Sequence, residues 1–259
     1  MKARRILNIA LTVLLVISAT LFILSFALII PCLCREFFYN QVDQIKAVDS
    51  VNLYTERYYS FTVDRQMVID AFDSVMDYIW KGIPFKEDPN NAGGFLTGVL
   101  PLSAKGEAHF HDCIFLFWLD LIIMIITSVI LLGLLVLRIT KIYTPCKIFK
   151  LSPLFLSGIV LISLIAFILI YGLIVGFYDL FVAAHYVLFP GQGPDEWMFS
   201  SRYDVVVNLL NTEFFFNCAL HVGGVSVGLS LICIIYSVIT KVVEVKKNKQ
   251  IKAKENGSI

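Results

Sequence analysis

The stretch CIFLFWLDLIIMIITSVILLGLLVL, residues 113–137, decides the fold. It runs 25 residues with a single charge, Asp120. A helix crosses the hydrocarbon core of a bilayer in about 20 apolar residues. Within one segment in lipid, only a helix satisfies all of its own backbone polar groups. Three further stretches match it. Ile6 to Cys34 and Leu151 to Tyr178 carry no charge, and Phe214 to Thr240 holds His221 but no formal charge. Composition agrees: 58% of the 259 residues are hydrophobic and 16% charged, against about 25% charged in soluble domains. The expected fold class is mainly α, a polytopic membrane protein with a four-transmembrane-helix bundle and a small extracytoplasmic domain.

Net charge is +1 and says nothing about partners, but its distribution orients the spans. Cytoplasmic loops carry an excess of Lys and Arg. Lys2, Arg4 and Arg5 precede the first span, Arg138, Lys141, Lys147 and Lys150 lie between the second and third, and six lysines from Lys241 to Lys254 follow the fourth. Residues 35–112 hold seven basic and twelve acidic side chains, and residues 179–213 hold one basic and five acidic. The expected order is a first transmembrane helix at 1–34, an extracytoplasmic domain at 35–112, and the second and third transmembrane helices with a short cytoplasmic loop at 113–178. A second extracytoplasmic loop at 179–213, a fourth transmembrane helix at 214–240 and a basic cytoplasmic tail at 241–259 follow. Both termini are then cytoplasmic. The first span exceeds the 7–15 apolar residues of a signal-peptide core and lacks a small-residue cleavage site, so it reads as retained. The tail reads as a topology determinant and a contact for anionic membrane lipid.

Residues 35–112 contain one clear soluble helix. Asp64 is a suitable N-cap, Val68, Phe72, Val75 and Ile79 follow at helical spacing, and Gly82 with Pro84 closes the helix. Residues 84–94, PFKEDPNNAGG, read as a loop. NLYTERYYSFTV, residues 52–63, alternates loosely and is expected to form a short strand or two. Cys32 and Cys34 lie too close along the chain to face each other, and the six cysteines read as small apolar filler.

The chemistry-bearing residues cluster at the outer ends of spans. GEAHFHDC, residues 106–113, stands at the door of the second span. If that helix starts a turn early, His109 and Asp112 share a face at i and i+3. A carboxylate there can hold an imidazole's tautomer and raise its basicity. His111 lies on another face, where Glu107 at i−4 can pair with it. The sequence DLFVAAHYVLFPGQGPDEWMFSSRYD, residues 179–204, carries His185 a few residues past the third span. His109 and His185 therefore belong to one thin layer at the outer membrane boundary.

Other polar residues have plain readings beside functional ones. Asp120 is a functional candidate by its place in the membrane, or a protonated or paired partner of Tyr171, Asn217 or His221. His221 suits a helix contact better than catalysis. Gly223, Gly224, Gly228 and Ser226 read as a surface for close helix packing. Trp118, Trp197, Phe214, Phe215 and Phe216 fit an aromatic belt. The glycines of GQGP read as a turn, with a backbone oxyanion site as the alternative. His109 and His111 resemble a metal pair, but no third and fourth ligand has recognisable spacing. The expectation is no metal and no cofactor. No nucleotide, redox or transport motif appears, and no nucleic-acid partner is expected.

HFHDC before a span, and FVAAHYVLFPGQGPDEWMF followed by YDVVVNLLNTEFFFN, resemble the two signature blocks of the lipoprotein intramolecular transacylase family. The first block, a histidine and an aspartate three residues on, maps onto His109 and Asp112. The second maps onto His185, Phe189, Gly191, Trp197, Asp204 and the Phe214–Phe215 pair. The four-span layout matches over nearly the whole chain. The sequence departs from the pattern at Gly106, where the family carries glutamate, and at Asn211 to Glu213, where a proline is common. The resemblance implies catalytic residues His109 and His185, a supporting Asp112, and substrate contacts at Trp197, Phe189 and Asp204. It also implies an acyltransferase of the bacterial cytoplasmic membrane with its active site at the outer face. Its substrate is then a diacylglyceryl lipoprotein, whose own N-terminal cysteine amine takes the acyl chain from the glyceryl sn-2 oxygen to give the lyso form. On that reading His109, backed by Asp112, is the base for the amine and His185 serves the departing oxygen, with the reverse assignment open. A covalent acyl-enzyme on Cys113 is disfavoured, because an intramolecular substrate has no need of it. The competing class is a non-enzymatic four-span membrane sensor or partner-binding protein.

Overall fold

The computed structural model describes residues 2–88, 91–97 and 100–256. Among the described residues, four helices are long and apolar enough to cross a membrane. They are α1 (Lys2–Leu33), α5 (Ala104–Ile139), α6 (Pro153–Val175) and α10 (Thr212–Asn256). Between them run α2 (Arg35–Tyr39), α3 (Ala47–Tyr58), α4 (Arg65–Lys81), strands β1 (Lys86–Asp88), β2 (Asn91–Leu96) and β3 (Leu100–Pro101), then α7 (Phe177–Leu188), α8 (Pro194–Trp197) and α9 (Val206–Leu209). By its contacts the chain divides into two compact units. One comprises residues 1–27, 122–169 and 222–259, the other residues 28–121 and 170–221.

The first unit is held by small residues and hydroxyls. Thr20 Oγ1 meets Ser157 Oγ at 3.0 Å. A Cβ on Gly158 would lie 2.8 Å from the Ser230 carbonyl, so the α6 and α10 backbones approach closely there. The packing glycine therefore sits on the third span. Gly224 and Gly228, expected to mediate such packing, face open space, and Gly223 would make only an ordinary contact with Ile165.

The second unit has a conventional apolar core. Phe38 and Phe72 stack at 4.0 Å with an 8° interplanar angle, and Phe214 packs edge-on against both. Phe214 thus belongs to this core, not to an aromatic belt, whereas Trp118 and Phe216 stay exposed. Helix α4 forms as its spacing predicts. The Asp64 carboxylate accepts from the Met67 N–H at 2.8 Å, and Gly82 ends the helix at φ 67°, a left-handed conformation suited to glycine. Arg35 bridges from α2 to Asp73 at 3.0 Å and to Asp77.

Two expectations fail in this unit. Residues 47–58 form helix α3, because Ala47, Val51, Tyr54 and Thr55 recur at helical spacing and bury one stripe, which outweighs the loose alternation. Residues 86–88 and 91–96 form antiparallel strands, with Leu100–Pro101 as the third, in the order β1-β2-β3. Buried Leu96 and Leu100 drive that pairing into the core. Residues 89 and 90 of the expected loop lie outside the described residues.

Candidate active site

Helix α5 starts more than two turns before the apolar run. Ser103 accounts for this: its Oγ accepts from the Gly106 N–H at 2.9 Å, an N-cap. The same hydroxyl donates to the Asp204 carboxylate, which also accepts from the Val206 N–H at 3.0 Å. Asp204 is 5% exposed, and burial pushes its carboxyl above the usual range against the pull of the Ser103 hydrogen bond. Its role here is to tie the head of α5 to α9. The early start places His109 in the second turn of a continuous helix.

His185 arrives on a separate element. The uncharged run to Tyr178 does not form one span: α6 stops at Val175, Gly176 adopts φ 93°, and α7 begins at Phe177. Only glycine takes such a φ without strain. His185 sits near the end of α7, where its Nδ1 lies 2.8 Å from the Phe181 carbonyl. A carbonyl only accepts, so Nδ1 carries the proton and Nε2 keeps its lone pair. Burial lowers the imidazole's pKa below its ordinary value, with the Phe181 bond opposing.

The two imidazoles lie 6.0 Å apart, centroid to centroid, with planes 22° from parallel. Phe189 touches both, at 5.2 Å from His109 and 5.7 Å from His185. Trp197 is 3% exposed and stacks on His185 at 4.8 Å, so it belongs to the site and not to a belt. Phe199 meets His109 edge-on at 5.4 Å. The Nε2 of His109 lies 3.7 Å from Cys113 Sγ, one turn along. Its Nδ1 is buried and has no hydrogen-bond partner among the described residues.

Asp112 takes a different partner from the one expected. Its Oδ2 accepts from Gln192 Nε2 at 2.9 Å. The two residues line a groove of about 320 Å³ together with Phe115, Leu116, Leu188 and Phe189. Phe189 thereby joins the groove to both rings, although neither ring lines the groove itself. His111 turns to Tyr78, its Nδ1 3.5 Å from the hydroxyl, instead of pairing with Glu107. GQGP is a turn in which the Gln192 N–H donates to the Phe189 carbonyl at 3.2 Å. His221 packs edge-on against Phe37 of α2 at 5.0 Å. Sequence reasoning missed Gln192, Phe181, Phe199 and the Ser103 cap. Only Ser103 left a readable sign, a capping residue just ahead of a helix whose start was placed too late.

No curated protein matches the chain. Among solved structures it is similar to the membrane-integral lipoprotein intramolecular transacylase Lit from Bacillus cereus, at 20% identity, over 93% of this chain and 98% of that one, with a TM-score of 0.70. It is also similar to a variant of that protein with a histidine replaced by arginine, at 19% identity, over 94% and 95% of the two chains, TM-score 0.66. These likenesses establish the fold. The family model described as Lipoprotein intramolecular transacylase Lit matches residues 13–215. On that match, over most of its length, the chain belongs to the lipoprotein intramolecular transacylase family and is an acyltransferase.

Proposed function

We propose that the protein moves the sn-2 acyl chain of a diacylglyceryl-cysteine lipoprotein onto its own N-terminal amine, and that His185 and His109 divide the proton work. The observation that carries this reading is the pair of facing imidazoles, His185 with Nδ1 against the Phe181 carbonyl and His109 with a buried Nδ1. Attack of the amine on the ester carbonyl closes an eight-membered ring within one molecule. Binding that ring in reactive geometry supplies much of the rate.

The substrate amine, with a pKa of about 8, must shed protons to attack. His185 suits the base, since its Nε2 lone pair is free and its Nδ1–H is anchored to Phe181. It takes a proton from nitrogen as the N–C bond forms and returns it to the glyceryl oxygen as the C–O bond breaks. His109 suits the oxyanion. If the Cys113 thiol donates to Nε2, the proton resides on Nδ1, which then offers a buried N–H to the tetrahedral oxygen. This reverses the assignment favoured by the sequence, where Asp112 was to prepare His109 as the base. Asp112, held by Gln192 and beside His111, marks the polar mouth of a groove whose other walls are apolar, suited to an acyl chain and a cationic amine. The charge pattern supports cytoplasmic termini in a bacterial membrane and a site at the outer face.

The test is expression in cells that make only diacylglyceryl lipoproteins, with mass analysis of their N-terminal lipopeptides. Amine-acylated, singly O-acylated peptide is expected with the parent protein and absent with His109→Ala or His185→Ala. Unchanged lipopeptides with the folded parent would favour the sensor reading, and conversion retained by both variants would end the two-histidine mechanism.

A further inference from the structure

The connection between α5 and α6, residues 140–152, is anchored more firmly than a simple turn needs. Tyr143 is 2% exposed, and its hydroxyl meets Thr12 Oγ1 at 3.0 Å. The Cys146 N–H donates to the same Thr12 oxygen at 3.0 Å, and Arg4 donates to the Lys141 carbonyl at 3.3 Å. Lys141, Phe149 and Lys150 all adopt positive φ, at 61°, 51° and 64°. For residues other than glycine this conformation is costly and persists where surrounding structure imposes it, often at functional places. Phe149 stands 86% exposed at the tip of the turn closed by the Ile148–Leu151 bridge.

Beside this connection lies a cavity of about 140 Å³. Arg138 and Lys147 supply positive charge to it, and Ser152, Ser237 and Thr240 supply hydroxyls. No Asp or Glu lines it among the described residues. Leu15 and Leu154 form an apolar wall. The volume is well below the roughly 300 Å³ of the smallest drug-sized pockets. It suits a compact polar group whose remainder extends outward. Basic pockets between transmembrane helices on the positively charged side recognise phosphate headgroups of lipids. An arginine can bind phosphate oxygens in pairs. Exposed Phe149 and Ile142, the latter at 55%, put apolar surface on the same connection, which a lipid can cover and a soluble phosphate cannot.

We propose that this cavity binds the phosphate of an anionic membrane lipid, with Arg138 and Lys147 as its ligands. The proposal is independent of the acyl-transfer reading, since none of these residues belongs to that site. Protein purified in neutral detergent is titrated with phosphatidylglycerol or phosphatidylcholine of matched chains, and retained lipid is counted by native mass spectrometry. Phosphatidylglycerol is expected to bind at least about tenfold tighter. Each basic group near a membrane surface contributes about fivefold, so the Arg138→Gln/Lys147→Gln double variant should lose about twenty- to thirtyfold. The swap Arg138→Lys/Lys147→Arg should keep most binding, which separates charge from folding. Neutralising the tail with Lys246→Gln/Lys249→Gln should change binding less than about twofold. Equal retention of the two lipids, an equal loss from the tail variant, or displacement of the lipid by millimolar inorganic phosphate would each overturn the proposal.

Discussion

Replacing His185 with glutamine tests the proposed base most directly. Glutamine can still donate a hydrogen bond to the Phe181 carbonyl, but it has no basic nitrogen. General-base catalysis contributes about 100- to 10,000-fold, so conversion should fall by that factor, equivalent to about 2.7–5.4 kcal/mol at 1.36 kcal/mol per decade. The pH dependence is the sharper readout. Burial lowers the His185 pKa, so the imidazole titrates below its ordinary value of about 6.5 and is already neutral where the substrate amine titrates. The substrate amine, at about 8, titrates above that. The parent's log rate should therefore rise with unit slope between pH 6.5 and 8, and with a steeper slope in acid, where base and amine must both lose protons. Single-turnover conversion of a synthetic diacylglyceryl lipopeptide in detergent, followed by mass spectrometry, measures both limbs. The variant should show unit slope throughout. Conversion within fivefold of the parent at pH 7.5, or retention of the steep acid limb in the variant, would refute the base assignment.

Three further outcomes are expected. Cys113→Ala should slow conversion by about 10-fold by freeing the tautomer of His109, while Cys113→Ser, which keeps an O–H donor, should recover most of it; a dead alanine variant would point instead to an acyl-enzyme, sought as a covalent mass shift. Phe72→Ala removes a 3%-exposed ring that stacks on Phe38 and meets Phe214, and should destabilise the second unit by about 3–5 kcal/mol, read as accelerated proteolysis within residues 35–101. Gly176→Ala forces a Cβ into φ 93° and should shift α7; because a displacement of about 1 Å in a catalytic group costs roughly 100-fold, activity should fall far more than melting temperature.

The four spans were legible because a bilayer permits few solutions: a long apolar run has to be a helix. Helix α4 was legible because cap, stripe and terminator all agreed. Failures came where one local signal was read without its competitor. In residues 52–63 the alternation of tyrosines and polar residues masked the stripe of Ala47, Val51, Tyr54 and Thr55, whose burial is set by tertiary contacts. In residues 84–94 the Pro, Asn and Gly content reads as a loop, yet residues 86–88 and 91–94 are in strands, because Leu96 at the end of β2 has a core to enter. Trp197 read as a belt residue because composition cannot say that a tryptophan near the interface faces a histidine. The Asp112–Gln192 bond spans 80 positions, and no periodicity links residues so far apart.

The break at Gly176 explains how a site of this kind arises on a membrane protein. Had α6 continued unbroken, His185 would lie ten residues beyond Val175 on the same rod, about 15 Å further along its axis at 1.5 Å per residue. Instead the left-handed glycine ends the span, and Leu180 folds back until its Cδ2 would stand 3.0 Å from a Cβ on Gly172. Helix α7 then buries no residue fully, leaving Tyr178, Tyr186 and Val187 exposed at 55%, 50% and 78%. An apolar helix with that much uncovered surface offers its outer face to lipid. Its inner face carries Phe181 and His185 toward Trp197 and His109. On the proposed mechanism, the base His185 therefore rides on a separate helix that Gly176 breaks away from the third span.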